Sequence, residues 1–98
     1  MEAKSPEAAK HLKDAGVTGK KLTVDRAGAS ARRKEALKGM KTKPGKDRDE
    51  APPAVFKEGG AGSSRRHINS SDNRSAGGQL GQQLKDVPDG GCVRIECK

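Results

Sequence analysis

Phe56 is the only aromatic side chain in this 98-residue chain, which limits what the chain can bury. Apolar residues make up 30% and charged residues 35%, leaving little apolar surface to offset the entropy of ordering the backbone. Thirteen glycines and five prolines press the same way. The length fits one domain over residues 1–98, near the lower end of what folds without a covalent staple. The expectation is a thin single core, long ordered loops, and a stability that a metal, ligand or partner raises. The longest apolar runs are three or four residues, so neither a membrane span nor a signal peptide is expected.

Charge narrows the function. Twenty-one Lys and Arg against thirteen Asp and Glu give a net charge of +8. Residues 20–48 carry eleven basic residues against three acids, Asp25, Glu35 and Asp47. Such a stripe is the footprint of a polyanion binder, with nucleic acid the commonest partner. Phe56 and two histidines are the only rings, so base stacking is disfavoured and backbone contact favoured. Cys92 and Cys97 lie five apart on an expected strand, hence on opposite faces, which argues against an internal disulfide. They also lack the partners a zinc site needs.

The expected class is α+β, with a short antiparallel sheet and about three helices. Ser5-Pro6-Glu7 is a helix start, with Ala8, Leu12 and Ala15 on one face and Gly16 as the stop. Leu22 to Val24 reads as a short strand and Ser30 to Lys38 as a second helix. Lys41 to Lys46 is a basic Pro-Gly loop. Ala54 to Phe56 and Arg65 to Ile68 read as adjoining strands, Ser71 as the cap of a third helix, and Cys92 to Cys97 as a final strand.

Two short runs concentrate chemistry: Asp47-Arg48-Asp49-Glu50 and Ser71-Asp72-Asn73-Arg74. Cutting a phosphodiester bond needs a general base, a divalent cation and positive charge around the phosphate. Asp49 and Glu50 diverge on an extended segment, so one can face the phosphate while the other holds a neighbour. Asn73 can offer an amide oxygen to a hard cation. Each run alone also fits a bland role, a surface ion-pair cluster and a helix cap.

Read together with Leu22-Thr23-Val24-Asp25-Arg26, Arg32-Arg33-Lys34-Glu35, Leu37-Lys38-Gly39, Thr42-Lys43-Pro44-Gly45, Glu58-Gly59-Gly60-Ala61-Gly62 and Pro88-Asp89-Gly90, these runs form an ordered set. The set resembles the NucA/NucB family of bacterial non-specific deoxyribonucleases over roughly residues 5–95. The resemblance implies an endonuclease with a ββα-metal unit that uses Mg²⁺ or Mn²⁺. Asp49 is then the general base and Asn73 a metal ligand, with Glu50 as a catalytic group or second ligand. Arg48 and Glu58 are implied as orienting or phosphate-contacting groups, and Gln82 as a supporting amide behind them. Lys41, Lys43, Lys46, Arg65 and Arg74 are expected on the DNA. His67 is expected to be structural or DNA-facing rather than the base.

Two departures stand out from the resemblance. It implies cysteines where Leu22 and Phe56 stand, and an aromatic ring where Ala51 stands. Losing the cysteine pair suits a reducing compartment. The expected role is therefore a monomeric toxin domain of a larger bacterial protein, delivered by a secretion system to target-cell DNA and countered by an immunity protein. Action outside the cell is the alternative location. The competing function is a small basic nucleic-acid-binding protein without catalysis, which leaves the acidic run unexplained.

Overall fold

The computed structural model describes residues 4–96. In chain order its elements are α1 (Pro6–Asp14), β1 (Lys21–Thr23), α2 (Ala29–Leu37), β2 (Lys46–Ala51), β3 (Ser64–Asn69), α3 (Ser70–Leu84) and β4 (Cys92–Arg94). The strands form two separate antiparallel pairs, β1 with β4 and β2 with β3. The α+β class with three helices and short antiparallel pairing is as the sequence reads.

The acidic run is itself a strand, whereas the sequence pattern placed the first hairpin strand at Ala54 to Phe56. Those three residues lie outside the strands, and Phe56 makes a single bridge to Val24. β2 reads Lys-Asp-Arg-Asp-Glu-Ala and so shows none of the apolar alternation that marks a strand. Its start is fixed by turn chemistry instead. Lys43-Pro44-Gly45-Lys46 closes with Lys46 N–H donating to the Lys43 carbonyl at 3.1 Å, and Gly45 takes φ +73°. Proline then glycine at the two central positions is what such a turn demands. β2 and β3 pair from Lys46↔Asn69 to Ala51↔Ser64. The hairpin leads directly into α3, so β2, β3 and α3 make a ββα unit.

The core is thin, as expected. Leu12, Val17, Leu22, Val24, Ala51, Phe56, Leu84 and Ile95 form its main cluster. Phe56 and Val24 are fully buried at its centre. Leu22 and Phe56, where the resemblance implies a cysteine pair, thus join one apolar cluster. A smaller cluster of Ala8, Ile68 and Ala76 fastens α1 and α3 onto one face of the hairpin.

The helix caps differ from the sequence pattern. Ser5 precedes α1 but caps nothing; it is buried and accepts from Gln79 Nε2 at 3.1 Å. The start of α1 is capped from α3 instead, with Asp72 accepting from the N–H groups of Glu7 and Ala8 at 3.0 and 2.9 Å. Glu7 returns the contact by accepting from Asn69 N–H at 2.7 Å. Asn69, not Ser71, caps α3, its side chain accepting from Asp72 N–H at 3.1 Å. A carboxylate at a helix N-terminus both satisfies orphan donors and complements the dipole. On β4, Cys92 is an exposed free thiol. Cys97 lies outside the described residues, as does its relation to Cys92.

Candidate active site

Alternation along β2 sends Asp47 and Asp49 to the face covered by α1 and α3, and Arg48 and Glu50 to the other. Asp49 meets His11 of α1, with Nδ1 at 2.7 Å from Oδ2. Glu50 is 7% exposed and lies 3.8 Å from Arg33 Nη1 of α2. Burial pushes its carboxyl above the usual carboxylate range, opposed by Arg33 and reinforced by the Asp49 charge. Asp47 accepts from Ser70 Oγ at 2.8 Å and Asn73 Nδ2 at 3.1 Å, with Arg74 Nε at 3.8 Å. The Asn73 bond, then the Ser70 bond, hold the Asp47 carboxyl below its ordinary value.

Although Asp49 and Glu50 diverge, both line one cleft of about 340 Å³. Asn73 and Arg33 line it too, against an apolar wall that includes Leu12, Val55 and Leu80. Asn73 is therefore no helix cap: Asn69 has that task, and the Asn73 amide nitrogen is committed to Asp47, which leaves its oxygen as the free acceptor. A larger cleft of about 710 Å³ beside Arg26 and the 84–88 segment shares Val55, Gly77 and Leu80 but is lined by no residue of the 47–50 or 71–74 runs.

The other sequence candidates sit elsewhere. Glu58 accepts from Thr23 N–H at 2.8 Å and does not line the cleft, so it braces β1. Arg48 Nη1 donates to the Met40 carbonyl at 3.1 Å on the back of the hairpin. Arg65 Nη1 donates to the Lys38 carbonyl at 2.5 Å, and His67 Nε2 lies 2.6 Å from the Lys41 carbonyl. These three side chains together pin the 38–41 segment, which presents exposed Lys38 and Lys41, with Lys43 and Lys46 exposed on the adjoining turn. His67 is thus a structural tie. Gln82 is exposed on α3, and the amide that reaches inward is Gln79. Arg74 is 78% exposed beside Asp47, open to a phosphate.

Sequence reasoning missed His11 and Arg33. His11 is fully buried although α1 is otherwise a plain amphipathic helix. Its signal was present: it lies three residues after Ala8 and four before Ala15, a titratable group on the apolar stripe. Arg33 had no such signal among the neighbouring Arg32, Lys34 and Lys38.

The site is thus a carboxylate-rich, arginine-flanked cleft at the junction of an antiparallel hairpin and the helix that follows it, in a basic α+β domain. The family described as deoxyribonuclease NucA/NucB matches residues 2–95, and the chain belongs to that family. It is also 51% identical over 87 residues to the DNA-entry nuclease of Bacillus subtilis (strain 168), an overlap covering 87% of this chain and 59% of that relative.

Proposed function

We propose that this chain is an endodeoxyribonuclease that hydrolyses phosphodiester bonds with Mg²⁺ or Mn²⁺ and little regard for sequence. The observation that carries the reading is the meeting of Asp49, Glu50, Asn73 and Arg33 in one cleft. Family membership and the name of the relative support the same substrate. The oxygen donors fit a hard cation. Glu50 and Asn73 would hold it, with water and phosphate oxygens completing the shell, as Mg²⁺ prefers. Among the described residues no group of three or more His, Cys, Asp or Glu is placed to hold a metal. When bound, the cation supplies Lewis-acid stabilisation of charge on the phosphate.

The chain's own groups do the rest. Asp49 takes a proton from the water that attacks phosphorus, the bond from phosphorus to the 3′ oxygen breaks, and water returns a proton to that oxygen, leaving a 5′-phosphate end. Arg33 sets positive charge at the cleft, and Arg74 extends it to the exposed rim. Lys41, Lys43 and Lys46 hold the duplex by its backbone, and no element is evident that reads base edges. Supercoiled plasmid should be nicked with Mg²⁺ and left intact with EDTA. Binding without cutting under both conditions would favour the basic non-catalytic reading instead.

Three expected results follow from the placements. Asn73→Ala should slow cleavage and recover part of the rate at higher Mg²⁺ or Mn²⁺, while its melting temperature stays near wild type because Asn69 is the cap. Recovery absent at all metal concentrations would remove Asn73 from the metal. Replacing Lys41, Lys43 and Lys46 together, assayed without metal, should lower the slope of log affinity against log salt by up to about three counterions, because each phosphate contact releases about one. It should weaken unrelated duplexes alike.

Glu50→Gln is expected to raise the melting temperature at neutral pH while abolishing most cleavage. A carboxyl whose folded-state pKa lies above its unfolded value contributes stability at pH below the unfolded value, and loses it as pH rises through the folded value. The gain from Glu50→Gln should therefore vanish in acid. A variant that melts lower than wild type at neutral pH would contradict this.

For cellular role we propose an effector domain acting on target-cell DNA, on the ground that Leu22 and Phe56 pack where a reducible cross-link is implied. No described helix is long and apolar enough to cross a membrane. Expression inside a bacterial host should be toxic with Asp49 and harmless with Asp49→Asn. A wild-type chain tolerated inside the cell would favour extracellular action.

A further inference from the structure

His11 is a buried side chain in contact with Asp49 for which the reaction above gives no role. Its ring is fully buried, and both nitrogens are engaged: Nδ1 at 2.7 Å from Asp49 Oδ2 and Nε2 at 2.9 Å from Ser64 Oγ. An ionised carboxylate only accepts, so the proton of the first bond belongs to Nδ1. A histidine side chain free in water favours the proton on Nε2, and the carboxylate at Nδ1 selects the other tautomer here. Ser64 Oγ lies on the far side of the ring. With the proton on Nδ1, Nε2 of the neutral ring accepts from the Ser64 hydroxyl, and this second bond fixes the ring plane.

The three groups come from three elements, α1, β2 and β3, and converge only in the folded chain. Ser64 stands directly across the hairpin from Ala51, two residues beyond Asp49 on the same face. The start of α1 is clamped by Asp72 and Glu7. The ring is thus located from three sides.

We infer that His11, oriented by Ser64, is a positioning residue that holds Asp49 with Oδ2 occupied and Oδ1 turned to the cleft as the proton-accepting oxygen. This inference rests on the base role proposed for Asp49. It differs from mere packing because a directional donor is required at one place. An Asn side chain can place an amide N–H near the position of Nδ1, whereas Ala and Leu cannot. Truncating the group that orients a reacting residue commonly costs 10- to 100-fold.

The test measures kcat, KM and melting temperature for His11→Ala, His11→Leu, His11→Asn and Ser64→Ala, beside Asp49→Asn. Expected are a kcat loss of about 10- to 100-fold in His11→Ala and His11→Leu, an unchanged KM for DNA, and partial recovery in His11→Asn. Ser64 is exposed, so Ser64→Ala should fold normally. It should lower kcat in the wild-type background and do nothing further in His11→Asn, a non-additivity that marks groups acting through one another. Nitrogen-15 spectra of the His11 ring should show a proton on Nδ1, lost as a distinct signal in Asp49→Ala.

A proton absent from Nδ1, or kcat values that track melting temperature alone across the His11 series, would overturn the positioning role. Wild-type kcat in the His11 and Ser64 variants with a dead Asp49→Asn would overturn it while leaving Asp49 as base. Undiminished cleavage by Asp49→Asn would overturn the base reading first, and this inference with it.

Discussion

Asp49→Asn is expected to reduce DNA cleavage by about 10²- to 10⁴-fold, the usual worth of a positioned general base. The amide matches the carboxylate in shape, and its oxygen can still accept from His11 Nδ1, so the local packing survives. What is lost is the basic oxygen. DNA affinity should hardly move, because the backbone contacts proposed above fall on the basic loop and turn and not on Asp49. A plasmid-nicking rate, a binding curve without metal and a melting temperature on one preparation decide the matter. Nicking near the wild-type rate would remove Asp49 from the chemistry.

Phe56→Ala is expected to cost about 3–5 kcal/mol, as for an aromatic ring deleted from a well-packed interior. The ring is fully buried in the cluster with Leu22 and Val24, and the chain has no other aromatic to fill the space. Small domains have stabilities of only about 5–15 kcal/mol, and a thin core places this one toward the low end. The variant should therefore be largely unfolded at moderate urea, with cleavage lost in proportion to folded protein. A loss below about 1 kcal/mol in a denaturant titration would show that the core tolerates a cavity.

The sequence was most legible where a local rule operates alone. The extent of α1, α2 and α3 follows from proline, glycine and the four-residue spacing of Ala76, Leu80 and Leu84. Glycines such as Gly16, at φ +73°, stop a helix because they take a left-handed conformation cheaply. β2 was not legible as a strand because its faces are set by contacts with helices on both sides rather than by an apolar pattern. Its Asp49 points to a buried histidine and its Glu50 to an arginine, and neither partner lies within ten residues of it in sequence. The caps failed for the same reason. Ser5 and Ser71 are good caps locally, but Asp72 of a distant helix reached α1 first and Asn69 took the start of α3. Asp49, Glu50 and Asn73 stood out from residue chemistry before the resemblance gave them roles, and the folded chain brings these three to one cleft, whereas Glu58, Arg48 and Gln82, named through the resemblance, lie outside it.

The clamp between Asp72 and the start of α1 also bears on the order of assembly. It joins residues 64 and 65 apart in sequence, while His11 and Asp49 are 38 apart. The hairpin and α3 are contiguous and can form early, since short loops close at little entropic cost. Docking of the first helix closes a far longer loop, and contacts of that span slow the search for the native state. In a chain whose first helix has not docked, Asp49 is present but not yet held by His11. If Asp49 is the base as proposed, its positioning by His11 waits on that long-range closure and not on formation of the hairpin alone.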